Sequence, residues 1–373
     1  MAHVTQFVLV MVLAVATTAS VCFADESERR LDRNIDTLVA AAIKLMDSGR
    51  YEESRSLLRQ VRTMAPQNVM AVYEYGFSYR LEGIADSAIK YYRLASEMPG
   101  TLPFYVAAYG SLLDESKDTL EAQRVFNQGI ERYPNSFHLY HERGVLNLRL
   151  GHTDSAIADF QKAIEVNPEY APSYLRCAEA QFEIGENTFW GMIEGEIFMN
   201  LEPESERSRD FALRLAKVYN ENIKIDNGKV SVSFCKDASQ KEDGAIVHYS
   251  KSRFEVPYGL NGYEMPIAYA ASAEKELTPV SLVTIRLRFL ALYDNLKVDS
   301  TYGPNVLFDY QRKVRDAGHE LPYNVWIMER AVPELAKRYI AKYQKEWDAF
   351  NVWRKDNPLV VNHNNVFLRK KYR

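Results

Sequence analysis

The sequence predicts a mostly α-helical fold: a right-handed superhelix of helix pairs, followed by a mainly helical C-terminal domain with a small β-hairpin. Three observations support this prediction. A 34-residue period runs through residues 35–170, a fifth and degenerate unit covers residues 171–204, and the period is lost in residues 205–373 although helical patterns continue. The composition of the 373-residue chain, with 47% hydrophobic and 26% charged residues, is that of an ordinary globular protein.

Four units of equal length, 35–68, 69–102, 103–136 and 137–170, repeat the same kinds of residue. Small residues recur at position 8 as Ala42, Gly76, Gly110 and Gly144, and at position 20 as Ser54, Ala88, Ala122 and Ala156. Larger residues recur at position 24 as Leu58, Tyr92, Phe126 and Phe160, and the closing prolines are Pro66, Pro99, Pro134 and Pro168. Two antiparallel helices approach closely only where facing side chains are small, and proline ends a helix because it cannot donate to the preceding turn. Each unit is therefore predicted to be one helix pair.

The fifth unit, 171–204, begins on the same pattern and then departs from it. Trp190 falls where a small residue belongs, and a one-residue slip to Gly191 and Gly195 is needed to restore the pattern. The second helix of this unit is therefore predicted either to be distorted or to pack against something new.

This pattern resembles the tetratricopeptide repeat family over residues 35–170, including a glycine at the turn within most units. The resemblance implies a superhelix whose concave face binds ligands, and it implies no catalytic activity. Some members of the family hold a terminal carboxylate with Lys and Asn at positions 5 and 9 of the first helix. Here the second unit carries Tyr73 and Phe77 at those positions, so that function is not expected.

In this family, positions 2, 5, 9, 12 and 13 of the first helix face the groove. The candidate binding residues are therefore Tyr73, Phe77, Arg80, Phe104, Asp114, His138, His141, Arg149, Glu179, Phe182 and Glu183. An aromatic floor with a few charges suits an extended peptide or a partner helix. The alternative is that the C-terminal domain of the chain itself fills the groove. Residues 25–204 hold 18 Lys+Arg against 29 Asp+Glu, and residues 205–373 hold 28 against 21, so the two parts would attract each other.

Residues 1–24 have the layout of a secretory signal peptide, with an apolar run from Phe7 to Ala16 and Ala24 before the charged DESERR. Cleavage after Ala24 would give a secreted or periplasmic protein of the cell envelope. The alternative is an uncleaved membrane anchor, because the apolar run is nearly long enough to span a bilayer.

The C-terminal part is predicted to contain helices over 211–223, 279–296 and 305–318, and one long helix over 332–357 that Pro358 stops. Residues 229–234 and 245–256 alternate as two strands of a hairpin would. The segment at 307–327, LFDYQRKVRDAGHELPYNVWI, resembles C-terminal regions of secreted repeat proteins from Bacteroidetes-type bacteria. That resemblance implies export and no particular activity.

Several function classes are not expected. Neither half has the dense basic face of a nucleic-acid binder. His138 and His141 share a helix face, but no further ligand pattern supports a metal site, and no motif for a cofactor or catalytic nucleophile is present. Cys177 and Cys235 are expected to be unpaired thiols. The chain is therefore interpreted as an exported, non-catalytic scaffold that binds a protein or peptide, and the alternative is an envelope hydrolase with its site in residues 226–330.

Overall fold

The computed structural model of the chain describes residues 31–226, 229–235 and 257–372. These residues form two compact units that divide between Pro134 and Asn135. The predicted signal peptide at 1–24 and the predicted strand at 245–256 lie outside the described residues. Within the described ranges, no helix combines the length and the apolar character needed to cross a bilayer.

The described part of the first unit, residues 31–134, contains six helices that form three pairs. They are α1 (31–47), α2 (Tyr51–Met64), α3 (Val69–Glu82), α4 (Ala85–Glu97), α5 (Pro103–Glu115) and α6 (Thr119–Arg132). The turn glycines Gly49 and Gly83 have φ of +73° and +82°, a left-handed conformation that glycine adopts without steric cost. The third pair has Lys117 in place of the turn glycine, and this residue takes the same conformation at φ +70°.

The small residues of the pairs lie directly opposite the large ones, as the spacing predicts. A Cβ atom on Gly76 would be 2.8 Å from the Tyr92 ring, and one on Gly110 would be 2.6 Å from the Phe126 ring. The first pair has Ala42 and Leu58 at these two positions, and both belong to one buried cluster. A larger first residue is thus accommodated where the facing side chain is smaller.

The second unit contains two further repeat pairs and the C-terminal helices. Its repeat helices are α7 (Phe137–Arg149), α8 (Thr153–Val166), α9 (Ala171–Ile184) and α10 (Phe189–Leu201). The later helices are α11 (Glu206–Asn222), α12 (Met265–Ala271), α13 (Pro279–Asn295), α14 (Val298–Tyr302), α15 (Val306–Asp316), α16 (Glu320–Met328), α17 (Pro333–Lys342) and α18 (Gln344–Asp356). A π-helical turn, Gly259–Glu264, precedes α12, and a 3₁₀ turn, Arg369–Tyr372, ends the described chain. One hydrophobic core runs through this unit from Ala156 to Tyr372. Whether residues 25–204 and 205–373 fold as separate domains stays a prediction.

Helix α10 packs against new partners, as its broken repeat pattern predicts. It is an α-helix throughout, and 12 of its 13 residues are buried. The Trp190 ring lies 5.7 Å from the rings of both Tyr258 and Phe367, which belong to the C-terminal part. A helix that is buried on all sides needs apolar neighbours on all sides, and α10 finds them among residues outside the repeats.

Two details of the C-terminal part differ from the sequence-based prediction. Strand β2 (Lys229–Val232) pairs antiparallel with β1 (Ile223–Asp226), a strand that begins at the last residue of the helix predicted over 211–223. The predicted long helix over 332–357 is two helices, because the chain breaks at Tyr343 with φ −125° and ψ 44°. The sequence around Tyr343 contains no glycine or proline, so nothing in the local pattern signals this break.

Candidate functional site

In the first unit, three predicted binding residues of the second and third repeat pairs come together in an aromatic surface made of Tyr73, Phe77 and Phe104, which packs against the buried ring of Tyr105. The Tyr73 ring centroid lies 6.3 Å from that of Phe77, 5.6 Å from that of Phe104 and 5.1 Å from that of Tyr105. Phe104 is 43% exposed although it is surrounded by other rings. Burial raises the pKa of Tyr73, so its phenol stays neutral at physiological pH. The aromatic surface offers apolar contact area that is already held in place by ring packing.

An ion pair joins helices α3 and α5, the two helices that carry the aromatic surface. Arg80 donates from Nη2 to Oε1 of Glu115 at 2.6 Å and from Nε to Oε2 at 3.0 Å. This two-point geometry fixes the guanidinium orientation. Asp114, the other predicted charged residue of this unit, is half-buried. Arg80 and Glu115 therefore form a fixed ion pair, and the Asp114 carboxylate is its neighbour in the chain.

Glu74 is a titratable residue of this region that the sequence analysis did not select. Burial, and then the nearby Asp47 carboxylate, raise the pKa of Glu74 to about 7. The charge of Glu74 also contributes to the raised pKa values of Tyr73 and Tyr105, for which burial is the main cause. Glu74 directly follows Tyr73 but is not at a predicted groove position, so the positional rule could not find it.

In the second unit, the predicted histidines are packed among rings. His138 is half-buried, with its ring 3.9 Å from that of Phe137, and burial lowers its pKa. His141 was predicted to face the groove but is buried, and its Nδ1 lies 3.0 Å from Oγ of Ser173 on the next repeat pair. Desolvation lowers the pKa of His141 to about 3, so it is neutral. His141 therefore links two repeat pairs.

The remaining predicted residues of the second unit divide between open and covered positions. Arg149 is exposed, and so is Glu183. Glu179 pairs with Arg214 of α11 at 3.3 Å, and Phe182 stacks on Phe211 of α11 at 6.0 Å. The C-terminal helix α11 thus contacts Glu179 and Phe182 of α9 and leaves Glu183 exposed. At these two residues the arrangement is the one that the filled-groove alternative describes.

The segment proposed for an alternative catalytic site, 226–330, contributes to a buried polar network. Arg286 donates from Nη2 to Oε1 of Glu196 at 2.8 Å, from Nε to Asn324 at 3.0 Å and from Nη1 to Tyr219 at 3.1 Å. The same Glu196 oxygen accepts from Tyr323 at 3.0 Å. Only about 20 Å³ of space adjoins this network, about the size of one water molecule. Among the described residues, no group of three or more His, Cys, Asp or Glu side chains is placed to hold a metal ion.

Comparison with known families identifies the repeats. The tetratricopeptide repeat pattern matches residues 39–100 and residues 137–170. The chain therefore contains tetratricopeptide repeats, as its 34-residue period predicts, and its mostly α-helical fold class is confirmed. Such repeats generally mediate protein–protein interaction and are typically non-catalytic scaffolds. The likeness of its C-terminal part to secreted Bacteroidetes-type proteins stays a prediction.

Similar proteins match parts of the chain. The STIP1 homolog of Dictyostelium discoideum is 36% identical over 76 residues, which are 20% of this chain and 14% of that protein. A solved structure from the functional characterization of Pseudomonas aeruginosa pilF is 20% identical, with a TM-score of 0.44, over 51% of this chain and 86% of that one. A thermophilic tetratricopeptide repeat protein of Thermus thermophilus is 16% identical, with a TM-score of 0.40, over 49% of this chain and 97% of that one.

Proposed function

We propose that this protein is an exported scaffold that binds an extended peptide segment of a partner protein on the aromatic surface of the first unit. The observation that carries the proposal is the exposure of Phe104 within a packed group of rings. An exposed ring in a fixed position provides binding area with little loss of side-chain freedom, as in the aromatic anchors of protein interfaces.

The charges near the aromatic surface favour a peptide with both apolar and basic side chains. Glu74 and Asp47 interact through their charges, and Glu115 and Asp114 lie at the end of α5. Arg80 is already paired with Glu115. A lysine or arginine of the peptide would therefore meet carboxylates near the rings that hold its apolar side chains.

A peptide-display selection on the purified protein tests this function. Selected peptides are expected to contain an aromatic or large aliphatic residue together with a basic one. Their affinity should fall about tenfold or more in Phe104→Ala, since truncating a central aromatic anchor typically costs at least that much. The matched control is Leu120→Ala on α6, because Leu120 is 82% exposed and lies outside the aromatic surface. Equal affinity of the two variants would contradict the proposal.

The pH dependence of binding provides a second test. The pKa of Glu74 is about 7, so its carboxyl gains negative charge as the pH rises through neutrality. Affinity for a basic peptide should therefore increase over that range, and the increase should be absent in Glu74→Gln. Fluorescence polarisation of a labelled selected peptide measures both. If Glu74→Gln showed the same pH profile as the unmodified protein, Glu74 would not belong to the binding site. The proposed role of Phe104 would be unaffected.

Export is the second part of the proposed function. The apolar run within residues 1–24 supports it, and cleavage after Ala24 would leave Asp25 as the first residue. Fractionation of the native cells followed by amino-terminal sequencing tests this directly. Protein from the envelope or medium should begin at Asp25, and exported protein that retains residues 1–24 would show instead that this segment is an anchor.

A further inference from the structure

The second unit contains a cavity of about 880 Å³ that none of the predicted binding residues lines. Its walls come from the end of α10, the start of α11 and the helices α16, α17 and α18. The cavity lies beside the break at Tyr343, where α17 and α18 meet as two short helices. Helix α17 contributes Pro333, Ala336, Ile340 and Ala341 to this lining. The volume lies within the range of about 300–1,000 Å³ that is typical of small-molecule sites.

The lining combines an aromatic wall with basic side chains. Trp326 and Trp347 supply the rings. The basic residues are Arg209, Arg330, Lys337 and Arg354, whereas Glu204 and Glu329 are the acidic ones. Lys337 is exposed and has no ion-pair partner among the described residues. Arg209 and Arg330 are paired with Glu206, and Arg354 is paired with Glu204, so within the described ranges Lys337 is the basic group of the lining that has no carboxylate partner. A cation of this kind favours an anionic ligand.

Arg354 is the residue that points most directly to a ligand. Its side chain is 8% exposed, and its guanidinium lies 4.4 Å from the centre of the Trp326 ring. Nη2 donates to Oε1 of Glu204 at 2.9 Å, while Nε and Nη1 are buried without a hydrogen-bond partner. Guanidinium donors match the two oxygens of a carboxylate, and buried polar groups are normally paired. This arginine therefore has unused capacity to donate beside the cavity.

We propose that this cavity binds a small amphipathic carboxylate. Its apolar body would lie against Trp326 and Trp347, and the basic lining would hold its charged group. The ligand class follows from the combination of two rings with Lys337, which has no carboxylate partner among the described residues, and with the unpaired donors of Arg354. This site lies within the second unit and is independent of peptide binding in the first.

Calorimetric titration with octanoate and with 1-octanol tests the proposal, because the two probes share an apolar chain and differ in charge. We expect octanoate to bind at least about tenfold more tightly than octanol. Ala341→Trp should abolish octanoate binding, because Ala341 is exposed and lines the cavity, so the added ring fills the space. Ala349→Trp is the matched control, since Ala349 is exposed on α18 and does not line the cavity.

Two variants that each remove one lysine charge complete the test. They leave Arg354 unchanged, because its loss could disturb folding. Lys337→Gln should weaken octanoate binding roughly threefold or more and leave octanol binding unchanged. Lys345→Gln, an exposed lysine of α18 outside the lining, should change neither. Failure of octanoate to bind, equal affinity for the two probes, or retained binding in Ala341→Trp would each overturn the proposal.

Discussion

The regular repeat pairs and helix α10 use the same small residues in different ways. In the regular pairs, a glycine on the first helix faces a ring on the second helix of the same pair, as Gly110 faces Phe126. In α10 the glycines lie on the second helix and face rings on both sides. A Cβ on Gly191 would be 2.6 Å from the Phe182 ring of α9, and one on Gly195 would be 2.0 Å from the Phe211 ring of α11.

This difference shows how a repeat helix becomes part of a larger core. A regular second helix buries one stripe and leaves the opposite side exposed, as α8 does. Helix α10 buries nearly every residue, including the carboxyl groups of Glu194 and Glu196. Burying charged or polar groups is unfavourable unless they are paired or neutral. Glu196 meets this requirement because it is paired with Arg286, and Glu194 meets it because its raised pKa favours the neutral form.

The largest expected effect comes from removing the partner of Glu196. Arg286→Leu should destabilise the second unit by about 3–5 kcal/mol, because Glu196 would remain buried without its cation. Urea unfolding followed by tryptophan fluorescence measures this, since all four tryptophans of the chain lie after residue 134. The control is Arg93→Leu on α4, which removes an exposed pair with Glu97 and should change the stability far less, because water and salt screen such a pair. Similar losses in the two variants would contradict the distinction between buried and exposed pairs.

The second effect is a dependence of stability on pH at Glu194. Desolvation raises the pKa of this buried carboxyl to about 8, and Gln161 donates to its Oε1 at 2.7 Å. The folded protein thus binds this proton more tightly than the unfolded chain does. The resulting stabilisation is complete below the ordinary carboxyl pKa of 4.5 and is lost as the pH rises through about 8.

Glu194→Gln cannot ionise, so this loss should disappear in the variant. Relative to the unmodified protein, the variant should gain about 4 kcal/mol of stability between about pH 5 and about pH 9. Urea unfolding at a series of pH values measures the difference. Glu131→Gln on the exposed surface of α6 is the control and should show no such gain. A constant difference between Glu194→Gln and the unmodified protein at all pH values would contradict the raised pKa.

The third effect concerns the regular pairs. Gly110→Ala should destabilise the first unit by about 1–2 kcal/mol, because its methyl group would overlap the Phe126 ring. Adding Phe126→Leu should restore part of the loss, since the first pair combines alanine and leucine at the same two repeat positions, as Ala42 and Leu58 of one buried cluster. Hydrogen exchange over residues 103–132 measures this, as the first unit has no tryptophan. If the double variant lost as much stability as the two single variants together, overlap with the Phe126 ring would not be the cause of the destabilisation.

The repeat region could be predicted closely because its packing partners are near one another in the chain. The small and large positions, the turn glycines and the surface residues Tyr73, Phe77 and Phe104 all follow from one period. The burial of His141 could not be predicted in this way, because it depends on a hydrogen bond to Ser173 on the next pair. Glu74 was missed since its raised pKa results from burial, which position in the repeat does not reveal.

The sequence by itself determined the helix pairs, since a glycine and the ring that faces it are 16 residues apart and recur with a fixed period. Only the tertiary structure decided the surroundings of α10 and the shape of the C-terminal part. Glu196 meets Arg286 and Tyr323, which follow it by 90 and 127 residues. The halves of the predicted long helix separate at Tyr343, where no local signal occurs. Contacts of this kind depend on how distant helices pack, and no short pattern in the chain records them.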